Sequence, residues 1–250
     1  MLMFNLYKNY NIRIKKIIFI FFLSYFLLGL SIVGKYGISI DEETSRLNAL
    51  MNGNYILNKF LPKNEYDNLF EKITNDKFSE KISKKKPQNF ETYPDRAYGV
   101  IFELPVTALE FIFNINKTQN IYLLRHVVNF VFFFISLLFF FKLLNKIFNN
   151  KIYSLFGCIA LITLPRIFAE IFYNSKDIIF LSFFIISNYY GYSLILKKKN
   201  KNLFLFCFFS ACAINIRIIG IFIPLLVVSA LFADSIFKKN YKVQKEYILI

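Results

Sequence analysis

The chain of 250 residues is 56% hydrophobic and 20% aromatic, with 33 Phe, no Trp and a formal charge of +15. A soluble domain of this length has no interior large enough for so much apolar surface, so the composition excludes an ordinary globular fold and points to an integral membrane protein. The basic residues sit in short clusters between apolar runs, as in cytoplasmic loops, which argues against nucleic acid as a partner.

Lys8, Arg13, Lys15 and Lys16 precede the first apolar run, 17–33, which is long enough to reach about 25 Å as a helix. No small-x-small cleavage site follows, so the run reads as an uncleaved anchor with its N-terminus in the cytoplasm. Residues 34–98 carry 11 Lys/Arg and 10 Asp/Glu, close to neutrality. Ser39 and Glu42 have the spacing of a capping box and Gly53 suits a helix stop, which predicts a short helix from Ile40 to Met51. The segment from Lys63 to Gln88 is charged and poor in apolar residues, and reads as a surface loop. Residues 98–115 are apolar but short, and contain Glu103, Pro105 and Glu110. Glutamates at the bilayer centre are costly, so an interfacial helix is expected there.

Five further spans are expected, at 121–141, 153–173, 178–196, 203–216 and 218–237, with 238–250 as a cytoplasmic tail or the start of a further segment. Cys158, Cys207 and Cys212 all lie inside apolar runs and read as buried small hydrophobes. If 98–115 does not cross, the clusters Lys142/Lys146/Lys151, Lys197/Lys198/Lys199/Lys201 and Lys238/Lys239/Lys242/Lys245 fall on the cytoplasmic side with the N-terminal one, 15 basic residues in all. The 34–120 loop, the Asn174-Ser175-Lys176-Asp177 turn and the hinge at Asn215-Ile216-Arg217 then share the outer side. Arg125, His126, Arg166 and Glu170 lie toward the outer ends of their helices. The expected fold is therefore all-α and polytopic, a single transmembrane domain of about six spans with interfacial helices in a long first outer loop.

Carboxylates and cations gathered at an outer membrane boundary suit transfer from a lipid phosphate. Lys or Arg can hold the phosphate and stabilise its departure, and an Asp can accept the proton of an attacking hydroxyl. A divalent cation bridging carboxylate and phosphate would help through oxygen ligands. The layout resembles the GT-C glycosyltransferases of the protein mannosyltransferase and aminoarabinose-transferase type. The resemblance rests on Asp41-Glu42 after the first span, Arg125-His126, Leu164-Pro165-Arg166, Asn174-Ser175-Lys176-Asp177 and Asn215-Ile216-Arg217-Ile218-Ile219-Gly220. Tyr93-Pro94-Asp95-Arg96 stands where that family often has a His-Pro-Pro motif. The family's members are longer and have more spans, so the expectation is a truncated or split member.

The resemblance implies a membrane glycosyltransferase that uses a polyprenyl-phosphate sugar donor, and inverts it, on the outer face of a bacterial inner membrane. The acceptor would be a glycan, lipid or protein. Asp41 would be the base, supported by Glu42, and Lys176, Asp177, Arg217, Arg125 and Arg166 would surround the donor. Plainer readings stand beside each of these. Asp41 and Glu42 suit a helix N-terminus, Lys176 and Asp177 an ordinary turn, and Arg125 and Arg217 side chains that reach for headgroups. Arg166 has Glu170 one turn along as an ion-pair partner. His126, the one histidine, suits packing or hydrogen bonding better than a metal. Two other functions fit the same pattern, a transporter or flippase of a lipid-linked substrate and a non-catalytic membrane subunit.

Overall fold

The computed structural model describes residues 2–63, 65, 90–115 and 117–248, and these residues contain helices and no strand. The helices are α1 (Leu2–Ile32), α2 (Ile40–Phe60), α3 (Glu103–Ile112), α4 (Thr118–Phe148) and α5 (Lys151–Ile162). They continue as α6 (Pro165–Glu170), α7 (Asp177–Leu196), α8 (Asn200–Ile216) and α9 (Phe222–Ile248). Apart from Lys63 and Glu65, the charged loop expected from Lys63 to Gln88 lies outside the described residues.

Among the described residues, four stretches are long and apolar enough to cross a membrane: Ile12–Lys35, Thr118–Phe148, Asp177–Leu196 and Ile218–Phe237. They mark an all-helical, membrane-embedded protein. The other two expected spans are shorter helices, Lys151–Ile162 and Asn200–Ile216, against the roughly 20 residues that a bilayer core needs. The run 153–173 is not one helix. The chain leaves the helical conformation at Leu164 and restarts with Pro165 in the first turn of α6. Proline lacks the N–H that would continue α5 and pushes the preceding residue out of the α region. α3 has ten residues, about 15 Å, too short to cross.

Two compact units divide the chain. The first comprises residues 1–135 and 159–179. Its apolar part joins α1 to the first half of α4 through aromatic rings, with Phe26 4.8 Å from Phe134 and Tyr25 5.9 Å from Phe130. Phe130 also stacks on Phe172 at 5.4 Å and is fully buried. This packing requires Gly29, because a Cβ there would overlap the Phe130 ring.

α2 extends to Phe60, well past the expected end at Met51, and Gly53 lies inside it. An interior glycine costs about 1 kcal/mol relative to alanine. Contacts on both sides of the position offset that cost. Asn48 binds the Tyr93 hydroxyl, Leu104 of α3 packs beside Gly53, and Tyr55 stacks on Phe90 at 4.6 Å.

The second unit comprises residues 136–158 and 180–250. Here α7 meets α8 through a Ser187–Ser210 hydrogen bond of 2.6 Å and parallel Tyr190 and Phe209 rings. Lys146 lies 4.0 Å from the centre of the Tyr189 ring and donates to the Ser193 hydroxyl. Gly220, in the 3-10 turn Ile218–Ile221, approaches the α8 backbone so closely that a Cβ would stand 2.8 Å from the Ala213 carbonyl carbon. Cys158 and Cys212 are buried as expected, but Cys207 is exposed.

Candidate functional site

The polar residues of the first unit organise around the start of α2. Ser39 caps the helix, and Glu42 Oε2 accepts the Ser39 N–H at 2.7 Å, completing the capping box. The other carboxylate oxygen, Oε1, accepts from His126 Nε2 of α4 at 2.7 Å. Glu42 and His126 are both buried. Asp41, the preceding residue, is exposed. The two acids singled out together thus have different surroundings, one committed on both oxygens and one facing outward.

Behind α2 lies a buried ion network. Arg46 Nε donates to Glu110 Oε2 at 2.8 Å, and Arg125 Nη1 donates to Glu110 Oε1 at 2.6 Å. The second Arg125 terminal nitrogen pairs with Glu103. All four side chains are buried. Glu103, Thr107 and Glu110 fall at i, i+4 and i+7, on one face of α3, so the helix presents its polar stripe to Arg125 and its apolar residues elsewhere. This explains how two glutamates sit in an apolar segment: each is neutralised by an arginine from another helix. Beside the network, burial pushes the Tyr93 phenol up to about 12, with Asp95 adding to the effect.

In front of α2 opens a cleft of about 290 Å³. Asp41, Glu42 and Ser45 form one wall. The other runs from α6 to the start of α7 and presents Arg166, Glu170, Asn174, Lys176 and Asp177. Asn174 organises this second wall. Its Oδ1 accepts the backbone N–H of Lys176 at 3.1 Å and of Asp177 at 2.8 Å, capping α7. Its Nδ2 donates to Glu170 Oε2 at 3.0 Å and to Asp177 Oδ2 at 3.3 Å. Arg166 Nε pairs with Glu170 Oε1 at 3.0 Å, the one-turn partner expected, although 82% of the Arg166 side chain is exposed.

Most charges lining the cleft are therefore engaged with a polar or charged partner. Two stand apart. Among the described residues Asp41 has no ion-pair or hydrogen-bond partner and Lys176 has no carboxylate partner. The Lys176 ammonium lies 5.1 Å from the centre of the Tyr98 ring.

The structure thus brings Asp41, Glu42, Arg166, Lys176 and Asp177 to one cleft. Arg125 does not line it, and its guanidinium is occupied by Glu103 and Glu110. Arg217 belongs to the second unit, exposed at the break between α8 and the 3-10 turn. Sequence reasoning did not single out Arg46 or Ser45, nor pair Glu103 and Glu110. The shared face of Glu103, Thr107 and Glu110 was a usable signal; nothing in the spacing pointed to Ser45. No group of three or more His, Cys, Asp or Glu side chains among the described residues could hold a metal ion. Compared with family models, curated proteins and solved structures, the chain matches none.

Proposed function

We propose that the cleft transfers a sugar from a polyprenyl-phosphate donor to a hydroxyl acceptor, as the resemblance to GT-C glycosyltransferases implies. The observation that carries this reading is the pair of charges without an oppositely charged partner, Asp41 and Lys176, on facing walls of one cleft whose other charges are engaged. In this reading the acceptor O–H gives its proton to the Asp41 carboxylate as its oxygen bonds to the anomeric carbon. The bond from that carbon to the phosphate oxygen breaks, the electron pair leaves with the phosphate, and Lys176 stabilises the charge. Attack opposite the leaving group inverts the anomeric centre.

Glu42 supports Asp41 by fixing the first turn of α2, and Arg125 supports α2 from behind through Glu110 and Arg46. Arg166 and Asp177 flank Lys176 at the donor end. A contact between Arg217 and the donor rests on the sequence pattern alone. The finer membrane arrangement belongs to the same proposal: six crossings, with α5–α6 and α8 as the two short ones, the N-terminus in the cytoplasm, and the cleft at the outer face of a bacterial inner membrane. The distribution of the lysine clusters supports it.

The test is sugar transfer in membranes holding wild-type or Asp41→Asn protein, with labelled polyprenyl-phosphate sugars and envelope acceptors. The expected result is transfer by wild type and a loss of about 100-fold or more in a normally inserted Asp41→Asn variant. Undiminished transfer by Asp41→Asn overturns the assignment of the base. Absence of transfer by wild type from every donor overturns the reaction.

A further inference from the structure

We propose that Ser45 is a positioning residue: its hydroxyl and the Asp41 carboxylate together hold one alcohol oxygen of a neutral, polyhydroxylated ligand. This rests on the reading of the cleft as a transfer site, and assigns the acceptor its place within it.

The first observation is a hydroxyl without a partner. Ser45 is 2% exposed, yet its Oγ makes no hydrogen bond among the described residues. Helical Ser and Thr side chains ordinarily bond back to a carbonyl one turn earlier, and several in this chain do. Ser154 donates to the Asn150 carbonyl at 2.7 Å, Ser229 to Leu225 at 2.8 Å and Thr163 to Ile159 at 2.9 Å. Ser45 does not, although the Asp41 carbonyl stands at the same spacing. A buried hydroxyl left open in this way is costly in the free protein, and the cost is recovered when a ligand supplies the bond.

The second observation is placement. Ser45 lines the cleft, and so does Asp41, one helical turn earlier. Residues at i and i+4 lie on the same face with Cβ atoms about 5–6 Å apart, a span that one oxygen atom can bridge. The two groups complement an alcohol. Ionised Asp41 only accepts, and takes the alcohol proton; the Ser45 O–H donates to the alcohol oxygen. The charge at this end favours a neutral group, because the lining residues beside Ser45 include Asp41 and Glu42, whereas Arg166 and Lys176 line the other wall. Lys176, the cation without a carboxylate partner, stands on the opposite wall. An anion and an alcohol therefore have separate places.

The experiment uses the purified full chain in a zwitterionic detergent that carries no sugar. Saturation-transfer NMR measures binding of methyl β-D-glucopyranoside, with inorganic phosphate as the counter-probe, to wild type, Ser45→Ala and Ser45→Thr. We expect Ser45→Ala to bind the glucoside about five-fold more weakly, the effect of one lost neutral hydrogen bond, and Ser45→Thr to retain binding. Without probe, Ser45→Ala should unfold at the same temperature as wild type or higher, since it loses no bond. A purely structural serine would give the opposite, a lower unfolding temperature. Equal glucoside affinity in wild type and Ser45→Ala overturns the proposal. So does absence of glucoside binding by wild type, or phosphate binding that depends on Ser45. Binding that depends on Ser45 in a protein without transfer activity supports the subsite while overturning the transferase.

Discussion

Glu110 is the point at which the first unit is most exposed to a single change. One carboxylate, 2% exposed, accepts from Arg46 at one oxygen and from Arg125 at the other. The four network residues balance, with two arginines against Glu103 and Glu110. Glu110→Gln keeps the shape and removes one charge, so the two buried arginines face one carboxylate fewer. Arg125 keeps Glu103, and Arg46 loses the ion pair it makes with Glu110. Removing one partner of a buried pair costs about 3–5 kcal/mol, most of it the penalty of the charge left behind. Because the chain has no Trp and 16 Tyr, near-ultraviolet circular dichroism during sodium dodecyl sulfate titration in mixed micelles is a suitable readout. Glu43→Gln, an exposed control on the same helix, should stay within about 0.5 kcal/mol of wild type. Pairing Glu110→Leu with Arg46→Met should restore much of the loss, since both charges leave together. A cost for Glu110→Gln no larger than that of the control, or no recovery in the double variant, would refute the ion-network account.

Gly29→Ala places a methyl group against the fully buried Phe130 ring, which Tyr25, Phe26 and Phe172 hold in place. A loss of about 1–3 kcal/mol is expected in the same titration, with partial relief by Phe130→Leu; a neutral Gly29→Ala would show that the ring moves freely. Tyr93 supplies a pH dependence. Its folded pKa, about 12 against the ordinary 10, means that the native state binds the proton more tightly. The stabilisation is present below pH 10 and is lost as the pH rises through 12. Unfolding midpoints measured across that window should fall less steeply in Tyr93→Phe than in wild type, and parallel slopes would contradict the assignment.

The legible parts of the fold are those in which composition alone decides. The four apolar stretches centred on α1, α4, α7 and α9 are long enough to cross, and such runs stand out without knowledge of any partner. The run 153–173 looked equally apolar, but hydropathy does not register a backbone break, and Pro165 was the signal to weigh. Gly53 misled in the other direction: a local preference for ending the helix was outweighed by packing with α3 and Tyr93.

At the site, the capping box of Ser39 and Glu42 and the pair of Arg166 and Glu170 are local and could be read from spacing. The partner that commits Glu42, His126, lies 84 residues away, and Arg46 meets Glu110 across 64. Such pairings are set by how helices pack, which a single sequence does not display. The same packing separates Asp41 from Glu42, two neighbours that looked alike and have opposite surroundings.

The buried network also sets an order on how the chain is made. Glu103 is neutralised by Arg125, which leaves the ribosome 22 residues later. Until then Glu103 lacks its cation, and Glu110 has Arg46 without Arg125. Charges in that condition are too costly to enter hydrocarbon. α2 and α3 must therefore wait in the aqueous phase until the first turns of α4 arrive, and the closing of the network is the step at which they dock.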